Sequence, residues 1–101
     1  MKKIINGKKY DTETAKAVAF HSNNLSYRDF KWYDETLYQK RTGEFFLLGE
    51  GGAMSKYAQP VGNCMSNGMT IIPMSYDEAK QWAETNIDVD RYEQIFGEVE
   101  E

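Results

Sequence analysis

The strongest strand signal in the chain is Trp32-Tyr33-Asp34-Glu35-Thr36-Leu37-Tyr38-Gln39, which Lys40-Arg41-Thr42-Gly43 connects to Glu44-Phe45-Phe46-Leu47-Leu48. Aromatic and β-branched residues give these segments a high strand propensity. Gly43 is placed to take the left-handed conformation of a short hairpin loop. The unbroken apolar run from Phe45 to Leu48 is typical of a strand that is covered on both faces. We therefore predict a β-hairpin at the centre of the fold.

The N-terminal segment predicts a second hairpin followed by a helix. Residues 2–5 and 8–10 flank Asn6-Gly7, the dipeptide that most readily takes the two positive φ angles of a type I′ turn. Asp11 or Thr12 is suited to cap a helix, and the apolar residues that follow have helical spacing. These apolar residues are Ala15, Val18, Ala19 and Phe20, and Ser22-Asn23-Asn24 ends the predicted helix.

The segment after the central hairpin predicts one further strand within largely irregular structure. Gly49-Glu50-Gly51-Gly52 is predicted to form a turn or loop, because clustered glycines interrupt regular elements. A short helical turn is expected over residues 53–59, and irregular structure is expected over residues 60–67. Met69-Thr70-Ile71-Ile72 is the further strand, and Pro73 ends it.

Two amphipathic helices are predicted near the C-terminal end. Ser75-Tyr76-Asp77-Glu78 fits a capping box, which predicts a helix from about Tyr76 to Glu84. The apolar residues that form one face of this helix are Ala79, Trp82 and Ala83. Asp88 is suited to cap a second helix. The apolar residues of the second helix are Val89, Tyr92, Ile95 and Phe96, and Gly97 closes it.

Together these elements predict an α+β fold. Its small antiparallel sheet is made of the N-terminal hairpin, the central hairpin and the later strand, and it is packed by an N-terminal helix and two C-terminal helices. We expect residues 1–101 to form a single domain, because a chain of this length builds one core. Cys64 is the only cysteine, so no internal disulfide can form, which suits a reducing cytoplasm.

Membrane and export signals are the next features to consider. No apolar run approaches the ~20 residues that a helix needs to span a bilayer. Met1-Lys2-Lys3 is followed by only Ile4 and Ile5 before polar Asn6-Gly7, which is too short for the apolar part of a signal peptide. The sequence therefore predicts a cytoplasmic protein that is neither exported nor embedded in a membrane.

Charge is divided unevenly along the chain. Residues 1–56 contain ten Lys/Arg and seven Asp/Glu, a net charge of +3, whereas residues 57–101 contain two and nine, a net charge of −7. An acidic surface attracts basic protein surfaces, including those that normally hold nucleic acid; the alternative is that it serves only solubility. The carboxylates predicted to bind a partner are Asp77, Glu78, Glu84, Asp88, Asp90 and Glu93. The residues predicted to contact RNA are Lys2, Lys3, Lys8 and Lys9.

Candidates for catalysis or metal binding each have a simpler structural interpretation. Residues 49–56 are rich in glycine and end in Ser-Lys, but they lack the spacing of a phosphate-binding loop. His21 has no partner His or Cys for a metal site, and Cys64 needs a base such as His21 beside it to act as a nucleophile. Asp34 and Glu35 point to opposite faces of a strand, so they do not form an acid/base pair. We therefore expect no catalytic residue, no metal and no cofactor.

Segments along nearly the whole chain share the pattern of one protein family. They are the run from Met1 to Ala15, Glu35-Thr36-Leu37-Tyr38, Thr42-Gly43-Glu44-Phe45-Phe46-Leu47, Gly49-Glu50-Gly51-Gly52-Ala53-Met54-Ser55-Lys56-Tyr57-Ala58, and the segment from Ile71-Ile72-Pro73 to Trp82-Ala83. In these segments the chain resembles small proteins carried on phages and conjugative elements of Gram-positive bacteria. Some members of that family are identified as anti-CRISPR proteins against type II systems, whose effector is an RNA-guided DNA endonuclease. The resemblance carries over no catalytic role to any residue.

The sequence and the resemblance together predict a non-enzymatic inhibitor that binds the type II effector nuclease. Such a nuclease holds guide RNA and target DNA in basic channels. We expect the acidic helices to compete there with guide RNA or DNA, while the basic hairpin contacts RNA. The alternative is a small RNA- or DNA-binding regulator of a mobile element, which uses the basic hairpin and exposed aromatic residues. A third hypothesis, a metal-dependent nuclease built on the acidic cluster, lacks a spaced set of ligands and base.

Overall fold

The computed structural model describes residues 1–101 as eight strands and two helices. The strands are β1 (Lys2–Ile5), β2 (Lys8–Asp11), β3 (Lys16–Ser22), β4 (Tyr33–Gln39), β5 (Phe45–Gly51), β6 (Gln59–Val61), β7 (Cys64–Ser66) and β8 (Gly68–Met74). The helices are α1 (Tyr76–Asn86) and α2 (Val89–Phe96). The α+β class predicted from the sequence is therefore confirmed, with both helices following the last strand.

Four strands form the main antiparallel sheet, in the order β3-β4-β5-β8. Strands β4 and β5 are the predicted central hairpin, with Leu37 opposite Leu47 and Gly43 at a φ of 93° in the connecting loop. Strand β8 pairs with the other side of β5 along the whole length of both strands. The central hairpin is thus confirmed, and its second strand extends to Gly51 rather than ending at Leu48.

The predicted N-terminal helix is wrong, because its residues form strand β3, which pairs with β4. Val18 and Ala19 are both buried, since the register shifts between Ala17 and Ala19 in a β-bulge. Because these two consecutive apolar residues both face the core, the apolar residues of this segment have the spacing expected of a helix and not the alternation of a strand. Asp11, expected to cap a helix, ends β2, and its carboxylate accepts a hydrogen bond of 2.9 Å from the Glu13 N–H in the following turn.

The predictions for residues 49–67 are also corrected. Gly49-Glu50-Gly51 belongs to strand β5 instead of a turn, and a Cβ on either glycine would collide with neighbouring residues. A Cβ on the adjacent Gly52, for example, would lie 2.6 Å from the Phe30 carbonyl oxygen. Residues 53–57 form turns without a helix. Strands β6 and β7 form a small hairpin where irregular structure was expected, and Gly62 takes the positive φ of its turn.

Both C-terminal helices are confirmed, together with their caps. Ser75 Oγ accepts a hydrogen bond of 3.1 Å from the Glu78 N–H, and Glu78 Oε1 accepts one of 2.9 Å from the Ser75 N–H. This reciprocal pair is the predicted capping box. Asp88 caps α2, and Gly97 ends it with a φ of 94°. Neither helix has the length and apolar character needed to cross a lipid bilayer.

The core occupies both faces of the main sheet. The face beneath the helices holds the larger cluster of buried residues: Val18, Ala19, Leu37, Phe45, Leu47, Ala79, Trp82, Ala83 and Tyr92. On the other face, Tyr10 of β2 packs edge-on against Phe46 with ring centroids 5.5 Å apart, and Ile71 completes the cluster. Phe45 and Phe46 are therefore buried on opposite faces, as the apolar run predicts.

The N-terminal hairpin is confirmed as a hairpin but is not part of the main sheet. Strands β1 and β2 pair only with each other, and Asn6 and Gly7 have φ angles of 51° and 77° in the turn. Tyr10 attaches this ribbon to the sheet through its contact with Phe46. The hairpin thus covers the second face of the sheet, and the prediction that it forms part of the sheet is wrong.

Candidate functional site

The carboxylates predicted to bind a partner lie on the two C-terminal helices and the turn between them. We call this surface the acidic helical face; it consists of Asp77, Glu78, Glu84, Asp88, Asp90 and Glu93. All are exposed except Glu93, which is half-buried. The arrangement follows from the amphipathic pattern, since Trp82 and Tyr92 occupy the buried sides of their helices.

Three of these six carboxylates form hydrogen bonds within the chain. Glu78 accepts from the backbone N–H of Ser75, which holds the pKa of Glu78 below its ordinary value. Asp88 caps α2, and Glu93 Oε2 accepts a hydrogen bond of 3.1 Å from the Val99 N–H. The three carboxylates that form no hydrogen bond or ion pair are Asp77, Glu84 and Asp90. These three can meet a partner without losing an internal contact.

The basic residues of the helices form no ion pair with this face. Arg91 Nε donates to the Val18 carbonyl oxygen of β3 at 2.7 Å, and its Nη1 donates to Gln94 Oε1 at 2.7 Å. Lys80 Nζ lies 5.4 Å from the centroid of the Tyr76 ring. The ion pairs of the protein join residues outside the acidic helical face. None of its six carboxylates is therefore in an ion pair, and they outnumber the two basic residues of the helices.

Glu84 and Asp88 line an open cavity of about 250 Å³ whose other walls are apolar. Those walls are Ala83, Ile87, Val89, Tyr92 and Val99. Val89 and Val99 are 71% and 60% exposed. An apolar hollow flanked by carboxylates suits the aliphatic stem and the cationic head of a lysine or arginine side chain. The acidic helical face thus has a cavity that suits one basic side chain, in addition to the negative charge spread over its surface.

The lysines predicted to contact RNA are divided between the two faces of the β1-β2 ribbon, because neighbouring residues of a strand alternate. Lys3 and Lys8 lie on the face of the ribbon that carries Tyr10, and Lys2 and Lys9 lie on the opposite face. Lys8 Nζ pairs with the Glu44 carboxylate at 2.9 Å, and this hydrogen bond raises the pKa of Lys8. The ribbon therefore does not present the four charges as one patch.

A buried carboxylate that the sequence analysis did not select binds three donors. Glu35 of β4 is 3% exposed and lies on the sheet face beneath α1. Its Oε1 accepts a hydrogen bond of 3.0 Å from Trp82 Nε1. Its Oε2 accepts from the Tyr57 hydroxyl and lies 2.9 Å from Lys56 Nζ. We call these residues, Glu35, Lys56, Tyr57 and Trp82, the Glu35 cluster.

Burial and hydrogen bonding set the protonation of this cluster. Burial is the largest influence on the pKa of Glu35 and raises it, but the donors Tyr57, Lys56 and Trp82 together outweigh burial. The pKa of Glu35 therefore lies below its ordinary value. Burial, and next the hydrogen bond to Glu35, raise the pKa of Tyr57. Near neutral pH, Glu35 is thus an ionised acceptor and Tyr57 a neutral donor.

The Glu35 cluster ties three parts of the fold together: strand β4, the loop before β6 and helix α1. Gly49 on the neighbouring strand is required there, because a Cβ at this position would overlap the Tyr57 ring. The main surface cavities are lined by other residues. The arrangement therefore suits a structural role, with Glu35 holding loop and helix on the sheet, better than a substrate site.

The other candidates from the sequence lie apart. His21 is on β3 of the main sheet, with its ring centroid 6.0 Å from that of Tyr33. Cys64 is an exposed free thiol on β7, in a different sheet. Neither side chain forms a hydrogen bond that would join a nucleophile to a base. No three His, Cys, Asp or Glu side chains are grouped as metal ligands.

Among these surfaces, the acidic helical face combines carboxylates that form no ion pair with an exposed apolar hollow. Its carboxylates were predicted from the sequence, whereas the hollow was not, because Val89 and Val99 come together only in the folded chain. Comparisons of the chain with protein-family models, with curated proteins and with solved structures find no match.

Proposed function

We propose that this protein inhibits a type II CRISPR effector nuclease by direct binding, the activity implied by the family resemblance of its sequence segments. In this proposal the acidic helical face enters the basic channel that otherwise holds guide RNA and target DNA. The observation that carries the proposal is the excess negative charge of that face, whose carboxylates form no ion pair and whose neighbouring base Arg91 donates to β3. The protein acts without catalysis, in the bacterial cytoplasm where the nuclease works.

The physical basis is replacement of phosphate by carboxylate. Lysine and arginine side chains that line a nucleic-acid channel repel one another, and an acidic protein surface relieves this repulsion as nucleic acid does. Asp77, Glu84 and Asp90 form no hydrogen bond or ion pair within the protein. They can therefore pair with such cations without breaking an internal contact. The hollow formed with Val89 and Val99 adds an apolar contact beside Glu84 and Asp88.

Charge reversal of Asp77, Glu84 and Asp90 to lysine tests this proposal. These substitutions leave the capping residues Glu78 and Asp88 in place, so both helices retain their N-terminal caps. We expect the affinity for the purified nuclease without guide RNA to fall about 100-fold or more, because each lysine would face a basic channel wall. Isothermal titration calorimetry measures the affinity, and DNA cleavage measures inhibition.

The matched control reverses Glu13, Asp34 and Glu50 to lysine, which changes the net charge equally on other parts of the surface. Asp34 and Glu50 are paired on the sheet face opposite the helices, and none of the three forms a hydrogen bond through its side chain. We expect this variant to bind within about threefold of the unmodified protein. Equal loss of affinity in both variants, or full affinity of the helical variant, contradicts the proposal.

A further inference from the structure

The two outer edges of the main sheet differ in how they are protected. Strand β3 carries the bulge at Val18, and the carbonyl oxygen of Val18 accepts a hydrogen bond from Arg91 Nε at 2.7 Å. The same strand begins with the charged residue Lys16. Bulges, charges and covering groups are the devices by which natural sheets keep an edge from pairing with another chain. The β3 edge is therefore protected.

Strand β8, at the other edge, has almost none of these devices. Its seven residues include no charged side chain, although 28% of the chain is charged. No strand pairs with its outer side, and Met69 and Ile72 are 42% and 38% exposed. Pro73 is its only residue of a type that discourages pairing. An uncharged, exposed edge of this kind is a template for strand addition.

Pro73 also shows which backbone groups of β8 point outward. It lies opposite Phe46 of β5 and has no N–H to donate, so this pair is one of the pairs without ladder hydrogen bonds. Since such pairs alternate, Met69 and Ile71 also direct their N–H and C=O groups away from β5. None of the hydrogen bonds in turns, loops and caps involves these residues. The outer edge of β8 is thus an unpaired row of donors and acceptors.

We propose that β8 pairs antiparallel with β8 of a second copy of this chain, about a two-fold axis at Ile71. In this pairing each Ile71 faces its own equivalent, and Met69 lies opposite Pro73 of the second copy. The N–H groups of Ile71 and Met69 then donate to the carbonyl oxygens of Ile71 and Pro73 across the axis. The result is a continuous sheet of eight strands.

A second copy fits this edge because the strand is complementary to itself. The antiparallel pairing places exposed Met69 opposite exposed Pro73, so apolar side chains cover one another on one face of the sheet. On the other face, half-buried Thr70 lies opposite exposed Ile72. No charged residue is brought opposite another. A two-fold contact of this kind also closes on itself, since it uses the same surface of both copies.

Sedimentation equilibrium of a Cys64→Ser variant tests the proposal, because this background excludes dimers linked by the exposed thiol. We expect the mass to approach twice 11.7 kDa as the concentration rises. Adding Met69→Lys and Pro73→Lys places lysines opposite each other across the axis and should return the mass to 11.7 kDa. The matched control is Phe20→Lys on the β3 edge, at a side chain that is 59% exposed, and it should remain dimeric.

Mixing variants of opposite charge shows whether the lysine variant has lost the ability to dimerise or the ability to fold. A Met69→Glu, Pro73→Glu variant should also be monomeric, whereas an equimolar mixture with the lysine variant should form the mixed dimer. A mass of 11.7 kDa for the unmodified strand at every concentration overturns the proposal. Persistence of the dimer in the lysine variant, or a mixture that stays monomeric, overturns it equally.

Discussion

The position of Glu35 in its strand predicts the burial of its side chain but not its hydrogen-bond partners. Alternation along β4 puts Glu35 on the same face as Leu37, so the sequence indicates that its side chain is directed toward the core. Its partners Lys56, Tyr57 and Trp82 follow much later in the chain, from a loop and a helix. No local pattern connects these residues, and the cluster becomes visible only once α1 lies on the sheet.

Replacing this carboxylate should destabilise the fold near neutral pH. In Glu35→Gln the side chain loses its charge and accepts fewer hydrogen bonds from the three donors. We therefore expect the free energy of unfolding to fall by about 2–3 kcal/mol. Urea denaturation of the variant and of the unmodified protein at about pH 7 measures this difference. A change below about 0.5 kcal/mol contradicts the structural role of the cluster.

The pH dependence of that difference provides a second test. Because the pKa of Glu35 is lower in the folded state than its ordinary value of 4.5, its ionisation contributes full stability above that value. The contribution is lost as the pH falls below 4.5 through the folded pKa. Glu44 and Glu78 also have lowered pKa values, but they are present in both proteins and cancel in the comparison. We expect the two proteins to converge in acid, and a constant difference down to about pH 3 contradicts this assignment.

At the scale of elements, the signals that act locally predicted the structure correctly. The capping box at Ser75, the Asp88 cap and the Asn6-Gly7 turn each involve neighbours in the chain, and all three are found. Strand β3 was missed because a bulge at Val18 disturbs the alternation that identifies a strand. Gly51 pairs with Tyr33 in a strand, and a Cβ there would overlap the Ser55 hydroxyl, so the need for glycine is a tertiary effect.

The N-terminal cap of α1 contributes measurably to the free energy of unfolding. In Ser75→Ala the Glu78 N–H loses its acceptor, while the Ser75 backbone N–H still donates to the Glu78 carboxylate. We expect a loss of about 1 kcal/mol in the free energy of unfolding, measured by urea denaturation. Ser66→Ala on β7, whose hydroxyl forms no hydrogen bond, is the control and should differ from the unmodified protein by less than about 0.5 kcal/mol. An equal effect of the two substitutions contradicts the role of the cap.

At the scale of the whole molecule, the charge asymmetry of the sequence corresponds to a single charged surface only in the acidic half of the chain. The C-terminal carboxylates lie on two adjacent helices whose buried faces are fixed by Trp82 and Tyr92. The N-terminal lysines lie on a ribbon, where alternation separates Lys2 from Lys3, and Lys8 is paired with Glu44. Composition alone does not distinguish these outcomes, because they depend on the period of the element that carries the charge.

The order in which the protein and guide RNA meet the type II effector nuclease tests the proposed inhibition most directly. A channel that already holds guide RNA has its positive charge neutralised, so the acidic helical face then has little to bind. We expect inhibition of DNA cleavage to be at least about tenfold more potent when this protein is added before the guide RNA than after it. Equal potency in both orders, with full activity of the variant in which Asp77, Glu84 and Asp90 are reversed, contradicts the proposed inhibition.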